Sequence, residues 1–115
     1  MKEVRWHGSS RSDVDAFPND ARREAGYQLF LVQIGENPSD WKPMPSIGPG
    51  VREIRIRQAS GAYRIIYLTA IGDVIHVLHA FQKKSKTGIA TPRKDIDLIR
   101  QRLADAEHDY RQRQN

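Results

Sequence analysis

One stretch constrains the fold of this chain more than any other: VREIRIRQASGAYRIIYLTAIGDVIHVLHAFQKKSK, from Val51 to Lys86. It holds three runs with apolar residues at every second position and many β-branched side chains, which is how half-buried strands read. In Arg52–Arg57, Ile54 and Ile56 point one way while Glu53, Arg55 and Arg57 point the other. Tyr63–Thr69 and Val74–Phe81 are the second and third runs, separated by turn residues at Gln58–Ala62 and at Gly72-Asp73. Short loops between neighbouring strands predict antiparallel hairpins.

Register decides which side chains share a face. Placing Arg57 opposite Arg64 puts Ile54, Ile56, Ile65 and Tyr67 together on one face. A tight loop at Gly72-Asp73 then sets Ile66 opposite His79 and Arg64 opposite Phe81. The second face would carry Arg55, Arg57, Arg64 and His79, with Lys83 and Lys84 just past its edge. Like charges side by side destabilise a sheet, so such a row suggests a face that meets a polyanion.

The remaining chain reads as helical cover. Lys2–His7 alternates like a short strand, and Ser12 or Asp13 can cap a short helix with Val14 and Phe17. From Asp20 to about Ile34, Ala21, Ala25, Leu29 and Val32 recur at helical spacing, with Tyr27, Phe30, Leu31 and Ile34 widening the apolar arc and Gly35 as the stop. Glu36–Gly50 is dense in Pro and Gly and reads as a loop, anchored by Trp41 and Met44. Thr91-Pro92 opens a last helix with a stripe of Ile96, Ile99, Leu103, Ala106 and Tyr110. The expected order is β-α-α-β-β-β-α: an α+β fold, one domain over residues 1–115, with a small mainly antiparallel sheet and the helices on one face.

Charge locates the function. The chain carries +5 overall, but Val51–Lys94 alone holds nine Lys/Arg against two acidic residues, a local +7. That concentration is the footprint of a nucleic-acid binder. Cysteine is absent, which excludes disulfides and thiolate metal sites and fits a reducing cytoplasm. The N-terminal residues lack a signal-peptide core, and no apolar run approaches a membrane span. Neither a metal nor a cofactor is expected. Phosphate-loop, Ser-His-Asp and HExxH signatures fail. His76 and His79, three apart on one strand, are expected on opposite faces.

Cations on a rigid sheet suit one chemistry, cleavage of an RNA phosphodiester. Arginine forks grip non-bridging oxygens and stabilise charge building on phosphorus. RNA brings its own 2′-hydroxyl nucleophile, so positioning, neutralisation and proton transfer suffice. His79 is the side chain suited to proton transfer at neutral pH, with Tyr63 or a crowded Lys as substitutes.

The helix EAGYQLFLVQIGENPSDW, then GPGVREIRIRQASGAYRIIY, VIHVLHAFQKKSKTGIATP and DIDLIRQRL, in that order, resemble the RelE/HigB-type toxins of bacterial type II toxin–antitoxin modules, in the phage-derived HigB-like branch. The resemblance covers nearly the whole chain. It implies a RelE-like fold and a ribosome-dependent mRNA endoribonuclease that blocks translation in the cytoplasm and is neutralised by a helix-turn-helix antitoxin. It implies catalytic roles for Arg55, Arg57, Arg64, Lys83 and Lys84. His79 is added from its register, and Lys86, Arg52, Tyr63 and Arg93 are assigned to RNA contact. Ser85-Lys86-Thr87-Gly88-Ile89 lacks the catalytic Tyr some members carry there, and the near-terminal Tyr-His pair of others is also missing. The alternative reading is a non-catalytic nucleic-acid binder or co-repressor working with a helix-turn-helix partner.

Overall fold

A computed structural model describes residues 1–84 and 91–114. Among them the chain forms β1 (Glu3–Trp6), α1 (Ser10–Asp15), α2 (Asn19–Gln33), β2 (Trp41–Pro43), β3 (Arg52–Gln58), β4 (Gly61–Leu68), β5 (Val74–Lys83) and α3 (Arg93–Gln114). The strands make one sheet in the order β1-β5-β4-β3-β2. β1 runs parallel to β5, and every other pairing is antiparallel. The α+β class and mainly antiparallel sheet are as expected. β2 is an addition: Trp41 pairs with Ile54 inside the Pro-rich segment read as loop, and Pro43 is tolerated there because β2 is an edge strand.

The helices do not share one face, contrary to expectation. Val14, Phe17, Ala21, Ala25, Leu29 and Val32 of α1, α2 and their junction pack on Ile54, Ile56, Tyr63, Ile65, Tyr67, Ile75 and Val77. Ile99, Leu103 and Ala106 of α3 pack on the other face, against Ile66, Leu68, Leu78 and Val51. The reason lies in β4, where Tyr63 to Leu68 are buried without a break. A strand apolar on both sides must be covered on both sides. Arg55, Arg57 and Arg64 mask this in the sequence, because they occupy the loop end of a face that is apolar further along.

Two local departures explain the rest. In the β3–β4 hairpin Gln58 pairs with Gly61 across a two-residue turn, so Arg55, not Arg57, stands opposite Arg64. Gly61 takes φ +145°, a backbone L side chains avoid. The slip is two residues, so every side chain keeps its expected face. The loop after β4 is longer than the tight turn expected, and a bulge between Ile66 and Tyr67 absorbs the difference. Ile66 still faces His79 and Arg64 still faces Phe81, but Leu68 now faces His76. The bulge therefore corrects another expectation: His76 and His79 lie opposite Leu68 and Ile66, on the same α3-covered face.

Helix ends follow the residues. At α2, Gly35 takes φ +89° and the next amide, of Glu36, donates to Leu31 carbonyl at 2.8 Å. α1 begins at Ser10, earlier than the Ser12 or Asp13 start expected. Tyr27, Phe30 and Ile34 stay exposed instead of widening the buried arc.

Candidate RNA-binding site

The three central strands lay their outward residues on the α3 face as a small lattice. One row reads Arg55–Arg64–Phe81, the next toward the hairpin tip Arg57–Ala62–Lys83, and the next inward Glu53–Ile66–His79. Neighbouring strands sit about 4.8 Å apart. Arg55, Arg57, Arg64 and Lys83 thus share one patch beside the hairpin tip.

Arg55 and Arg64 face each other directly, an arrangement that would repel. Glu53 resolves it. Its Oε1 accepts Nη1–H of Arg64 at 2.7 Å and Nε–H of Arg55 at 2.9 Å. The Glu53 side chain is 4% exposed, that of Arg64 9% and that of Arg55 34%. Arg64 is therefore a fixed, nearly buried guanidinium, while Arg55 reaches the surface and Arg57 is exposed. Lys83 is half-buried next to them. Partial desolvation, then the guanidiniums of Arg64 and Arg55, hold its ammonium below the ordinary lysine value; Glu53 opposes this and Arg57 adds to it. The cations are close enough to feel one another.

The hairpin tip is latched from the opposite side. Asp20, in the first turn of α2, accepts Ser60 Oγ–H at 2.7 Å, and Ser60 Oγ accepts Tyr63 O–H at 2.8 Å. The Ser60 bond chiefly holds the Asp20 carboxyl below its usual range. Tyr63 is fully buried with its ring 4.7 Å from Phe17. Its expected RNA contact is corrected: even-and-odd alternation puts Tyr63 on the core face whenever Arg64 is on the other.

The remaining expected residues are dispersed. His79 lies on the expected face of the sheet but points under α3. Its Nε2 is 2.7 Å from Asp95 Oδ1, its Nδ1 is 3.4 Å from Arg102 Nη1, and its ring stacks on Phe81. With Arg102 donating to Nδ1, the Nε2–H donates to Asp95, and both ring nitrogens are engaged. The position beside the arginines predicted for a proton-transfer group is instead a strut between β5 and α3. Lys84 falls past the end of β5 and is exposed, lining a shallow groove of about 330 Å³ with Phe17, Pro18, Tyr63, His79, Phe81 and Gln82. Arg52 belongs to the core-side parity; it covers the Trp41 ring at 4.2 Å and donates to Asn37. Arg93 is exposed at the start of α3 and pairs with Asp97. Lys86 lies outside the described residues.

Four residues have roles that the sequence reading misses. Glu53 shares the alternation of Arg55 and Arg57, so its face is visible in the sequence, but a charge count sets it only against theirs. Arg102 sits in the same helical arc as Ile99, Leu103 and Ala106, the signal of a buried cation; it donates to Leu78 carbonyl at 2.9 Å and Ser9 Oγ at 2.9 Å. His7 and His76 meet ring to ring at 2.9 Å, which no spacing in the sequence announces.

No described helix is long and apolar enough to cross a membrane. No curated protein matches the chain. A family model described as phage-derived protein Gp49-like (DUF891) matches residues 12–104, most of the chain, and this span contains the hairpin, the cation patch and the first half of α3. That family is associated with RelE-like toxins of toxin–antitoxin systems, and membership implies an antitoxin partner. The chain thus belongs to the phage-derived Gp49-like family, within the RelE-like toxins.

Proposed function

We propose that this protein is a HigB-like toxin that cleaves mRNA on the ribosome without a metal and so inhibits translation in the cytoplasm. The observation that carries this reading is the convergence of Arg55, Arg57, Arg64 and Lys83 on one patch of the sheet. The ribosome and the helix-turn-helix antitoxin come from the resemblance.

The chemistry follows from the positions. A phosphodiester seated on the patch takes N–H donors from Arg64 and Arg55 on its non-bridging oxygens. The RNA 2′-oxygen attacks phosphorus in line, the bond to the 5′-oxygen of the next nucleotide breaks, and a 2′,3′-cyclic phosphate remains. Charge gathers on the phosphoryl oxygens in the transition state, where the guanidiniums are already fixed. Lys83, with its proton held less tightly than in an ordinary lysine, donates to the departing 5′-oxygen. His79 is left out, because its ring is committed to Asp95 and Arg102. The 2′-hydroxyl proton leaves by way of water or a phosphoryl oxygen. Arg57, exposed at the hairpin tip, tracks the neighbouring phosphate.

A translating extract with a defined mRNA tests the reading. Wild-type protein is expected to produce discrete primer-extension stops inside the translated frame, and Arg64→Lys to lose at least ~100-fold in rate, since an ammonium cannot reproduce the fixed planar fork. A protein that binds RNA yet leaves it intact would be the binder or co-repressor instead.

A further inference from the structure

Among the described residues, Glu53 is the one carboxylate in the cation patch and the least exposed charged side chain there. It gives a single oxygen to both cross-strand arginines, at 2.7 and 2.9 Å. Each guanidinium commits one N–H to it and retains four further donors in the same rigid plane. A carboxylate so placed fixes two planes at once, and it does so on a strand, where backbone motion is small. We infer that Glu53 is a positioning residue: it sets Arg55 and Arg64 in the orientation that the reacting phosphate needs, and it never touches the RNA. This inference rests on the endoribonuclease reading and adds a residue to it.

Such a residue leaves a signature that structural residues do not. Glu53 is negative and sits among groups that attract a polyanion, so removing it strengthens or preserves RNA binding. Removing it also frees both guanidiniums to rotate, so the fixed donors that stabilise the transition state are lost. Affinity and rate therefore move in opposite directions. A residue that only supports the fold would lower both. A general base would erase one limb of the pH–rate profile.

The experiment uses the full chain with ribosomes programmed by a defined mRNA, under single-turnover conditions, and measures binding separately with a 2′-O-methyl RNA that cannot react. Glu53→Ala is expected to slow cleavage at least tenfold, with RNA affinity equal or tighter and the shape of the pH–rate profile unchanged. Glu53→Gln keeps the acceptor oxygen and is expected to fall between wild type and Glu53→Ala; it also decides the matter if the alanine variant fails to fold. Wild-type rates in Glu53→Gln and every folded variant, a parallel loss of affinity and rate, or loss of a limb of the pH profile would each overturn the inference. A second readout is independent of activity. The side-chain Nε–H signals of Arg55 and Arg64 in ¹⁵N NMR are expected to be sharp in wild type and broadened in Glu53→Gln, and unaltered signals would overturn the positioning role. A wild-type protein that leaves all RNA intact instead sinks the endoribonuclease reading, and with it the catalytic half of this inference.

Discussion

At the scale of single residues, the patch is defined by an imbalance: among the described residues, four cations and one carboxylate stand on neighbouring strand positions. Burial divides their duties. Arg64, almost enclosed, holds still, while Arg57 and the outer part of Arg55 meet solvent. Arg64→Ala is therefore expected to cost fold stability as well as activity. It leaves Glu53 with Arg55 alone, and the loss of one buried charged partner costs roughly 1–3 kcal/mol. Urea unfolding of Arg64→Ala and Arg57→Ala checks this: the first is expected to shift its midpoint, and the second to stay within about 0.5 kcal/mol of wild type. The faces of Arg55, Arg57, Arg64 and Tyr67 were legible in the sequence because parity survives a register slip of two. The withdrawal of His79 was not legible. It depends on Asp95 and Arg102 arriving from a helix more than a dozen residues further along the chain.

At the scale of elements, α3 is held to β5 by polar struts as well as by Ile99, Leu103 and Ala106. Asp95→Asn is expected to weaken the docking of its first turn while leaving the arginine patch in place. Hydrogen exchange should quicken at the N-terminal end of α3 and not in β3 or β4. β1 is fastened to β5 beside a second strut, the His7–His76 pair. His76 Nε2–H donates to Ile71 carbonyl at 2.9 Å, so its Nδ1 accepts from His7 Nε2–H. Both rings are held neutral. Burial is the first cause of a lowered pKa in each, and for His7 the neighbouring His76 is the second. Arg5 lowers both; Asp105 and Asp109 of α3 pull His7 upward, while the Ile71 carbonyl and Glu3 pull His76 upward and Arg113 lowers it. The unfolded chain takes up protons near pH 6.5 that the folded chain refuses. Stability is therefore full above pH 6.5 and falls as pH drops below it, through the lower folded values. Denaturant titrations at pH 7.5 and 5.5 should show this loss, and His7→Gln, which keeps an N–H donor but cannot be protonated, should reduce it. The three long strands and their antiparallel hairpins were readable from alternation and turn residues; the edge strand β2 and the parallel pairing of β1 with β5 were not. The bulge in β5 was not, because an extra residue in one strand leaves no compositional mark when Val, Leu and His follow one another.

At the scale of the whole molecule, the sheet is a divider. Among the described residues, one face is closed by α1 and α2 and the other by α3 only in part, and the hairpin end they leave open is where the positive charge collects. The sequence holds its excess of cations between Val51 and Lys94, and four of them meet at the hairpin end of the sheet. It could not say that Arg52 turns to the other side, since charge counts ignore parity. RNA affinity is expected to fall with salt, with a log–log slope of about −0.7 per single-strand phosphate neutralised, hence roughly −3 for four cations. Arg57→Ala should flatten the slope by about 0.7 without moving the unfolding midpoint. Filter binding from low to physiological salt reads both.

The most direct measurement is the chemistry of the cut ends. If the arginine patch grips one RNA linkage and the 2′-hydroxyl does the attacking, fragments from programmed ribosomes carry a 2′,3′-cyclic phosphate upstream and a 5′-hydroxyl downstream, and Arg64→Lys abolishes both. Fragments with 5′-phosphate ends, or full cleavage by Arg64→Lys, would contradict the account.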